Sequence, residues 1–151
     1  MQLTEEPDIV TWPEKHYIFI EKVGPFQTNA PQAWQELHQR IPEIAALNQI
    51  TGYFSLYKMD PHIYRAGISV AARPDDVPVG LHYEHLKGGK YSRFVLTGSY
   101  SNLPEASGRV FHIVREKKIP LRDDFNIENY VNDPRTTPED QLVTEIMFPA
   151  V

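Results

Sequence analysis

Apolar positions in the first third of the chain follow two different periods. From Tyr17 to Val23 the residues are mostly β-branched or aromatic, and the run stops at Gly24, which predicts a strand closed by a turn. Further along, apolar residues recur at spacings of three and four, which places them on one face of a helix. A strand followed by an amphipathic helix is therefore predicted. The helix face consists of Ala30, Ala33, Trp34, Leu37 and Ile41.

The ends of this helix carry local signals. Asn29 is followed by Gln32 three positions later, as in a capping box, so the helix is predicted to begin there. Pro42 is predicted to end it. The next two apolar runs, Ile50–Lys58 and Ile63–Ala71, are separated by a short turn and predict a hairpin. The first half thus has the order strand–helix–strand–strand.

The second half has the same order of elements. Tyr91–Thr97 is predicted as a strand, and Asn102 with Glu105 as a second capping box. Phe125–Val131 and Leu142–Phe148 are predicted as the closing hairpin, joined by a polar loop that contains prolines. Each half therefore predicts one βαββ unit. The apolar face of the second helix consists of Leu103, Ser107, Val110, Phe111 and Val114.

Matching residues indicate that the chain is an internal duplication. Gly24 corresponds to Gly98, which lies 74 residues later. Near the end of each half, the segment Phe54–Tyr57 corresponds to Ile127–Tyr130 with an offset of 73. The matches keep the same order over most of the chain, so two copies of one supersecondary unit are predicted.

The two repeats, about residues 7–71 and 81–151, are predicted to form a single domain over residues 1–151, with residues 72–80 as a linker. The predicted fold class is α+β. Duplicated βαββ units share one curved antiparallel sheet, with both helices on one face and a groove between them. Clefts where two similar halves meet are usual places for a small-molecule site.

One strand face of each repeat carries side chains suited to ligand binding. Side chains alternate along a strand, so Asn126, Glu128 and Tyr130 share a face. Glu128 is the carboxylate of this set among aromatic rings, an arrangement that suits an amphipathic cation. Alternation does not tell which face is buried, so a solvent-facing Glu128 is an equal alternative. The equivalent residues of the first repeat are Tyr53, Ser55 and Tyr57.

Composition excludes several classes of protein. The chain has 151 residues, of which 41% are hydrophobic and 23% charged, as in a folded domain. It has no cysteine, which excludes disulfides, thiolate metal sites and a cysteine nucleophile. The net charge of -5 argues against direct binding of nucleic acid. No apolar run approaches the ~20 residues of a membrane span, and the N-terminus lacks signal-peptide features. No membrane contact and a cytoplasmic location are therefore expected.

Two other motifs predict no site. His82 and His85 lie three positions apart on a strand, so they point to opposite faces and cannot chelate one metal ion. Gly88-Gly89-Lys90 lacks the spacing of a phosphate-binding loop and precedes a strand rather than a helix. No metal site and no cofactor are expected.

Three motifs together resemble the GyrI-like small-molecule-binding superfamily, which also supplies effector-binding domains of AraC-type and MerR-type regulators. The resemblance covers residues 7–151 and implies the duplicated βαββ fold with a ligand groove. It implies that Glu128 is the acidic residue on the groove floor and that Tyr130 and Tyr57 are aromatic ligand-binding residues. Asn129 stands where the family has an apolar residue, and it is expected to face the other side. The motifs are Val23-Gly24-Pro25-Phe26, Gly88-Gly89-Lys90-Tyr91 and Ile127-Glu128-Asn129-Tyr130-Val131-Asn132.

Three functions are compatible with these residues and this resemblance. The first and favoured one is a stand-alone module, with no helix-turn-helix before residue 7, that senses or sequesters amphipathic cationic compounds. The second is a hydrolase of electrophilic, cyclopropyl-type toxins with Glu128 as general base and Tyr57 or Tyr130 as its partner. The third is a modulator of DNA gyrase that acts through protein contact. For the binding module, the predicted ligand-binding residues are Glu128, Tyr130, Tyr57, Tyr53, Trp34 and Ser55.

Overall fold

Nine β-strands, two α-helices and two short 3-10 helices, Tyr100–Asn102 and Glu139–Gln141, form the regular structure of the chain in the computed structural model, which describes residues 1–151. The helices are α1 (Phe26–Ala45) and α2 (Leu103–Glu116). Neighbouring strands run antiparallel, so the predicted α+β class is confirmed. The strands are β1 (Gln2–Leu3), β2 (Asp8–Trp12), β3 (Lys15–Val23), β4 (Ile50–Met59), β5 (His62–Val70), β6 (His82–Leu86), β7 (Gly89–Thr97), β8 (Asn126–Tyr130) and β9 (Val143–Pro149).

Two compact units divide the chain. The first unit comprises residues 13–88, and its strands lie in the order β4-β5-β3-β6 with α1 packed against β3 and β5. The second unit comprises residues 1–12 and 89–151, and its strands lie in the order β8-β9-β7, with both β1 and β2 paired along β7. The units end at other residues than the predicted repeats, because β2 pairs with β7 and β6 pairs with β3.

Both units follow the same path through their strands. In each unit the last strand of the βαββ motif lies between the other two, and an edge strand is added to the first. Gly24 and Gly98 follow β3 and β7 with φ angles of 125° and 127°, a region that favours glycine. Their N–H groups donate to the carbonyl oxygens of His62 and Leu142. The duplication expected from the sequence is therefore present in the backbone.

The first helix begins and ends at other residues than predicted. It starts at Phe26 with Pro25 as its N-cap and no side-chain cap, so the predicted start at Asn29 is wrong. Pro42 does not end α1 either, because the helix continues for one more turn in which Ile44 is fully buried. Pro42 has no N–H group, so one backbone hydrogen bond of the helix is lost, and the burial of Ile44 offsets that loss.

The second helix starts where the sequence indicates. Asn102 is its N-cap residue, but the Asn102 side chain makes no capping hydrogen bond, so the capping box is confirmed in position only. The buried face of α2 packs against β7 and β9. Neither α1 nor α2 has the combination of length and apolar character that crossing a membrane would need. The core of the second unit consists of Phe94, Leu96, Ala106, Val110, Ile113, Val114, Ile146 and Phe148.

Candidate functional site

Glu128 lies on the helix-covered face of the second unit's strands. It is directly opposite Ile146 of β9, which is itself opposite Phe94 of β7. Opposite residues of antiparallel strands share a face, and both Ile146 and Phe94 are buried in the core beneath α2. The alternative that Glu128 faces solvent is therefore wrong, and the residue is half-buried.

Tyr130 holds the Glu128 carboxyl group from two residues along the same strand. The Tyr130 hydroxyl donates to Oε1 of Glu128 at 2.6 Å. Burial raises the pKa of Glu128, and the hydrogen bond from Tyr130 opposes that rise. No lysine or arginine forms an ion pair with Glu128. Glu128 is thus a buried-face carboxyl group with no fixed positive partner.

Tyr100 completes a carboxylate cluster, which we define as Glu128, Tyr130 and Tyr100. The rings of Tyr100 and Tyr130 have centroids 5.6 Å apart and planes at 62°. The Tyr100 hydroxyl is buried without a hydrogen-bond partner, and burial raises its pKa, with nearby carboxylates adding to the rise. The sequence prediction missed Tyr100, although the repeat holds a signal for it. Tyr100 corresponds to Phe26, which packs against Tyr57 in the first unit with centroids 5.8 Å apart.

The first unit has a different arrangement at the same place, an indole cluster formed by Trp34, Ser55 and Tyr64. The Trp34 Nε1–H group lies 3.0 Å from Oγ of Ser55 and 2.9 Å from the Tyr64 hydroxyl. The Ser55 and Tyr64 hydroxyls are 2.6 Å apart. The polar atoms of these three side chains therefore bind one another. Tyr64 was not among the predicted residues.

Tyr57 and Tyr53 lie on the same face of β4 as Ser55. Tyr57 is buried and opposite Tyr64, whereas Tyr53 is half-buried and opposite Ile68. The predicted ligand-binding residues thus fall into two sets: Glu128 and Tyr130 in the second unit, and Trp34, Tyr53, Ser55 and Tyr57 in the first.

His82 and His85 belong to neither cluster, whereas the His38 ring has its centroid 5.7 Å from that of the Trp34 ring. His82 is paired with Phe19 and His85 with His16 across β3, so the two histidines face opposite sides, as expected. His85 Nε2 lies 3.3 Å from a carboxylate oxygen of Glu14. No group of three or more His, Asp and Glu side chains is placed to hold a metal ion.

A match to a protein-family model decides the relationship of the chain. The model of a GyrI-like small-molecule-binding domain matches residues 5–151. The chain belongs to this GyrI-like family. The resemblance expected from the three motifs is confirmed, and small-molecule binding is the property that the family model describes. No curated protein sequence matches the chain.

Several solved structures share the GyrI-like fold. SAV2435 bound to tetraphenylphosphonium is 16% identical with a TM-score of 0.77, and the match covers 97% of this chain and 94% of that one. The C-terminal domain of EcmrR is 16% identical with a TM-score of 0.76, covering 97% and 98%. A hydrolase from Listeria innocua is 11% identical with a TM-score of 0.59, covering 96% and 91%. At these identities the likeness shows the fold.

Proposed function

We propose that this GyrI-like domain binds amphipathic organic cations and that Glu128 supplies the negative charge. The observation that carries the proposal is the half-buried Glu128 carboxyl group, which is held by Tyr130 and has no cationic partner. A carboxylate taken out of water is unfavourable by itself, and a bound cation gives it a counter-charge. The rings of Tyr130 and Tyr100 add apolar area and cation–π attraction.

The ligand-bound relative supports the same ligand class. SAV2435 holds tetraphenylphosphonium, which combines a positive charge with aromatic rings. Its likeness to this chain is one of fold, so the chemical argument here rests on Glu128. The ligand-binding roles of Trp34, Tyr53, Ser55 and Tyr57 stay predictions. Because the polar atoms of Trp34 and Ser55 already bind each other, those side chains would offer a ligand mainly apolar contact.

Affinity for a cation is expected to depend on pH with a definite sign. Glu128 attracts a cation only when it is ionised, and burial raises its pKa. Affinity therefore increases as the pH rises through the raised pKa of Glu128, and it levels off above that value.

The proposal is tested by titration calorimetry with tetraphenylphosphonium and with the neutral triphenylphosphine oxide. The proteins are the wild type, Glu128→Gln and Glu116→Gln, the last of which removes the same charge from an exposed position of α2. We expect Glu128→Gln to weaken cation binding by about tenfold or more, because the buried counter-charge is lost. Glu116→Gln should bind the cation as the wild type does, and the neutral compound should not distinguish the three proteins. Equal cation affinities of Glu128→Gln and wild type would overturn the proposal.

Hydrolysis of an electrophilic cyclopropyl compound is a second candidate. The raised pKa of Glu128 and its hydrogen bond with Tyr130 favour it, since such a carboxylate suits a general base. Glu128 would accept a proton from the water whose oxygen attacks the electrophilic ring carbon, one C–C bond of the cyclopropyl ring would break, and the released carbon would take up the proton. Mass spectrometry after incubation would reveal a product heavier by one water. Formation of that product at the same rate by Glu128→Gln would exclude this role.

The contact with DNA gyrase gains no support from the comparisons and stays a prediction. A pull-down of gyrase subunits with the wild-type chain tests it directly.

A further inference from the structure

The two units carry equivalent hairpins in which one side chain after another can be matched. Ser55 of β4 holds the position of Glu128 in β8, and Tyr57 holds that of Tyr130. Both pairs lie on the face that their unit's helix covers. The position of a carboxyl group in the second unit is therefore taken by a small hydroxyl in the first.

The partner strands extend this comparison. Tyr57 is directly opposite Tyr64, and Tyr130 is directly opposite Thr144. Thr144 therefore holds in the second unit the position that Tyr64 holds in the first. Thr144 is fully buried, and its hydroxyl has no hydrogen-bond partner. A buried hydroxyl without a partner is rare in folded proteins and calls for an explanation.

The two helices can be matched residue by residue, because each has a fully buried alanine followed four positions later by a fully buried aliphatic residue. In this match Trp34, which comes directly after the alanine of α1, corresponds to Ser107, which comes directly after the alanine of α2. Ser107 is half-buried, as Trp34 is. It therefore occupies the equivalent place on its helix, but its side chain is far smaller than an indole. The aligning residues are Ala33 and Leu37 in α1, and Ala106 and Val110 in α2.

The equivalent clusters differ in both filling and hydrogen bonding. In the first unit an indole and a phenol lie between helix and hairpin and form hydrogen bonds with the Ser55 hydroxyl. In the second unit the corresponding side chains are Ser107 and Thr144, which are small, beside the Glu128 carboxyl group. The second unit therefore has smaller side chains than the first at the places of Trp34 and Tyr64, and one of them carries a buried hydroxyl without a hydrogen-bond partner.

We propose that this place receives the head of a primary or secondary ammonium ligand. One N–H of the ligand donates to the Glu128 carboxylate, and a second donates to Oγ1 of Thr144. This inference rests on the proposed function, and it adds Thr144 as the residue that selects ammonium ligands over onium ions without N–H groups. An ammonium with two N–H donors satisfies both acceptors, whereas a quaternary ion satisfies only the charge.

The test compares a lipophilic diphenylalkyl primary amine with its trimethylated quaternary salt, which has the same charge and rings. Titration calorimetry is carried out on wild type, Thr144→Val and Glu128→Gln at a pH where the amine is protonated. We expect the wild type to bind the primary amine about tenfold more tightly than the quaternary salt. Thr144→Val keeps the shape but lacks the hydroxyl, so the preference for the primary amine should shrink several-fold to the part that comes from its N–H bond with Glu128.

The outcomes separate this inference from the proposed function. If Glu128→Gln binds neither cation, the proposed function is supported, and the preference for the primary amine is then judged from the Thr144→Val protein. A wild type that binds both cations equally, or a Thr144→Val protein that keeps the preference undiminished, overturns the role of Thr144 while the proposed function stands. Failure of the wild type to bind either cation overturns both.

A second variant tests the location without touching Thr144. Ser107→Trp introduces the indole that the first unit has at this place, and Ser101→Trp introduces the same residue at an exposed position of the second unit. We expect Ser107→Trp to abolish binding of both cations and to keep the wild-type circular dichroism spectrum, and Ser101→Trp to bind as the wild type does. Unchanged binding by Ser107→Trp would place the ligand elsewhere.

Discussion

Two glutamates of the second unit show how one residue type takes different roles on the two faces of a strand pair. Glu145 accepts hydrogen bonds from Arg93 at 2.9 Å and from Asn129 at 2.7 Å, so its charge is already neutralised. Glu128 faces the helix side and has only the Tyr130 hydroxyl as donor. Asn129 thus faces away from Glu128, as expected, and its departure from the family pattern leaves the carboxylate cluster intact.

The pKa of Glu128 predicts how the stability of the protein depends on pH. Because burial raises that pKa in the folded state, the folded protein binds more protons than the unfolded chain in the interval between the two pKa values. The contribution of Glu128 to the free energy of unfolding is fully present below the unfolded pKa and is lost as the pH rises through the folded pKa. Because glutamine does not titrate, Glu128→Gln removes this contribution to the pH dependence of stability.

Urea unfolding of Glu128→Gln and wild type from pH 4 to pH 8 measures this effect. We expect the free energy of unfolding of the variant to rise relative to that of the wild type across this interval, whereas Glu6→Gln, at an exposed position that forms no ion pair, shows no such trend. A difference between Glu128→Gln and wild type that is constant over the whole range would contradict the assignment.

The elements that the sequence pattern missed are edge strands. β1, β2 and β6 are short, and each is held to its neighbour by backbone hydrogen bonds at the edge of a unit. None of their residues is buried, so they lack the buried face whose period of two marks a half-buried strand. Backbone pairing of this kind is open to almost any residue, which is why these strands left no clear signal.

The last turn of α1 depends on packing rather than on local sequence. Ile44 is 0% exposed, whereas Leu47, just beyond the helix, is 77% exposed. Replacing Ile44 by alanine should lower the free energy of unfolding by about 2–4 kcal/mol through lost burial and a cavity, and the turn after Pro42 should fray. Leu47→Ala removes a side chain of similar size from the surface, so it should change the free energy of unfolding by less than about 0.5 kcal/mol. Chemical denaturation checks both values, and equal effects of the two variants would contradict this account of α1.

In the whole molecule, the same order of strands and helix occurs twice, but the side chains at the equivalent places differ in chemistry. In the first unit the polar atoms of the indole cluster bind one another, whereas the second unit has a carboxyl group and the Thr144 hydroxyl at the equivalent places. Duplication of the fold therefore does not predict duplication of the site.

Calorimetric stoichiometry tests this asymmetry. We expect one cation per chain, because only the second unit presents a carboxylate on its helix-covered hairpin face. Ligand binding should also raise the midpoint of thermal unfolding with increasing ligand concentration, since the ligand binds the folded state. A stoichiometry of two, with the second site lost in Ser55→Ala, would show that both units bind.

The sequence by itself determined the presence and order of the helices and hairpins, the duplication and the strand face shared by Glu128 and Tyr130. These follow from periods of two and of 3.6 residues, which are local and visible in a single chain. Only the tertiary structure decided that this face is the covered one, that Trp34 binds Ser55, and that Thr144 lies beside the carboxylate cluster. Those facts depend on the register between strands and on which face a helix covers, and both are set by contacts between residues far apart in the chain.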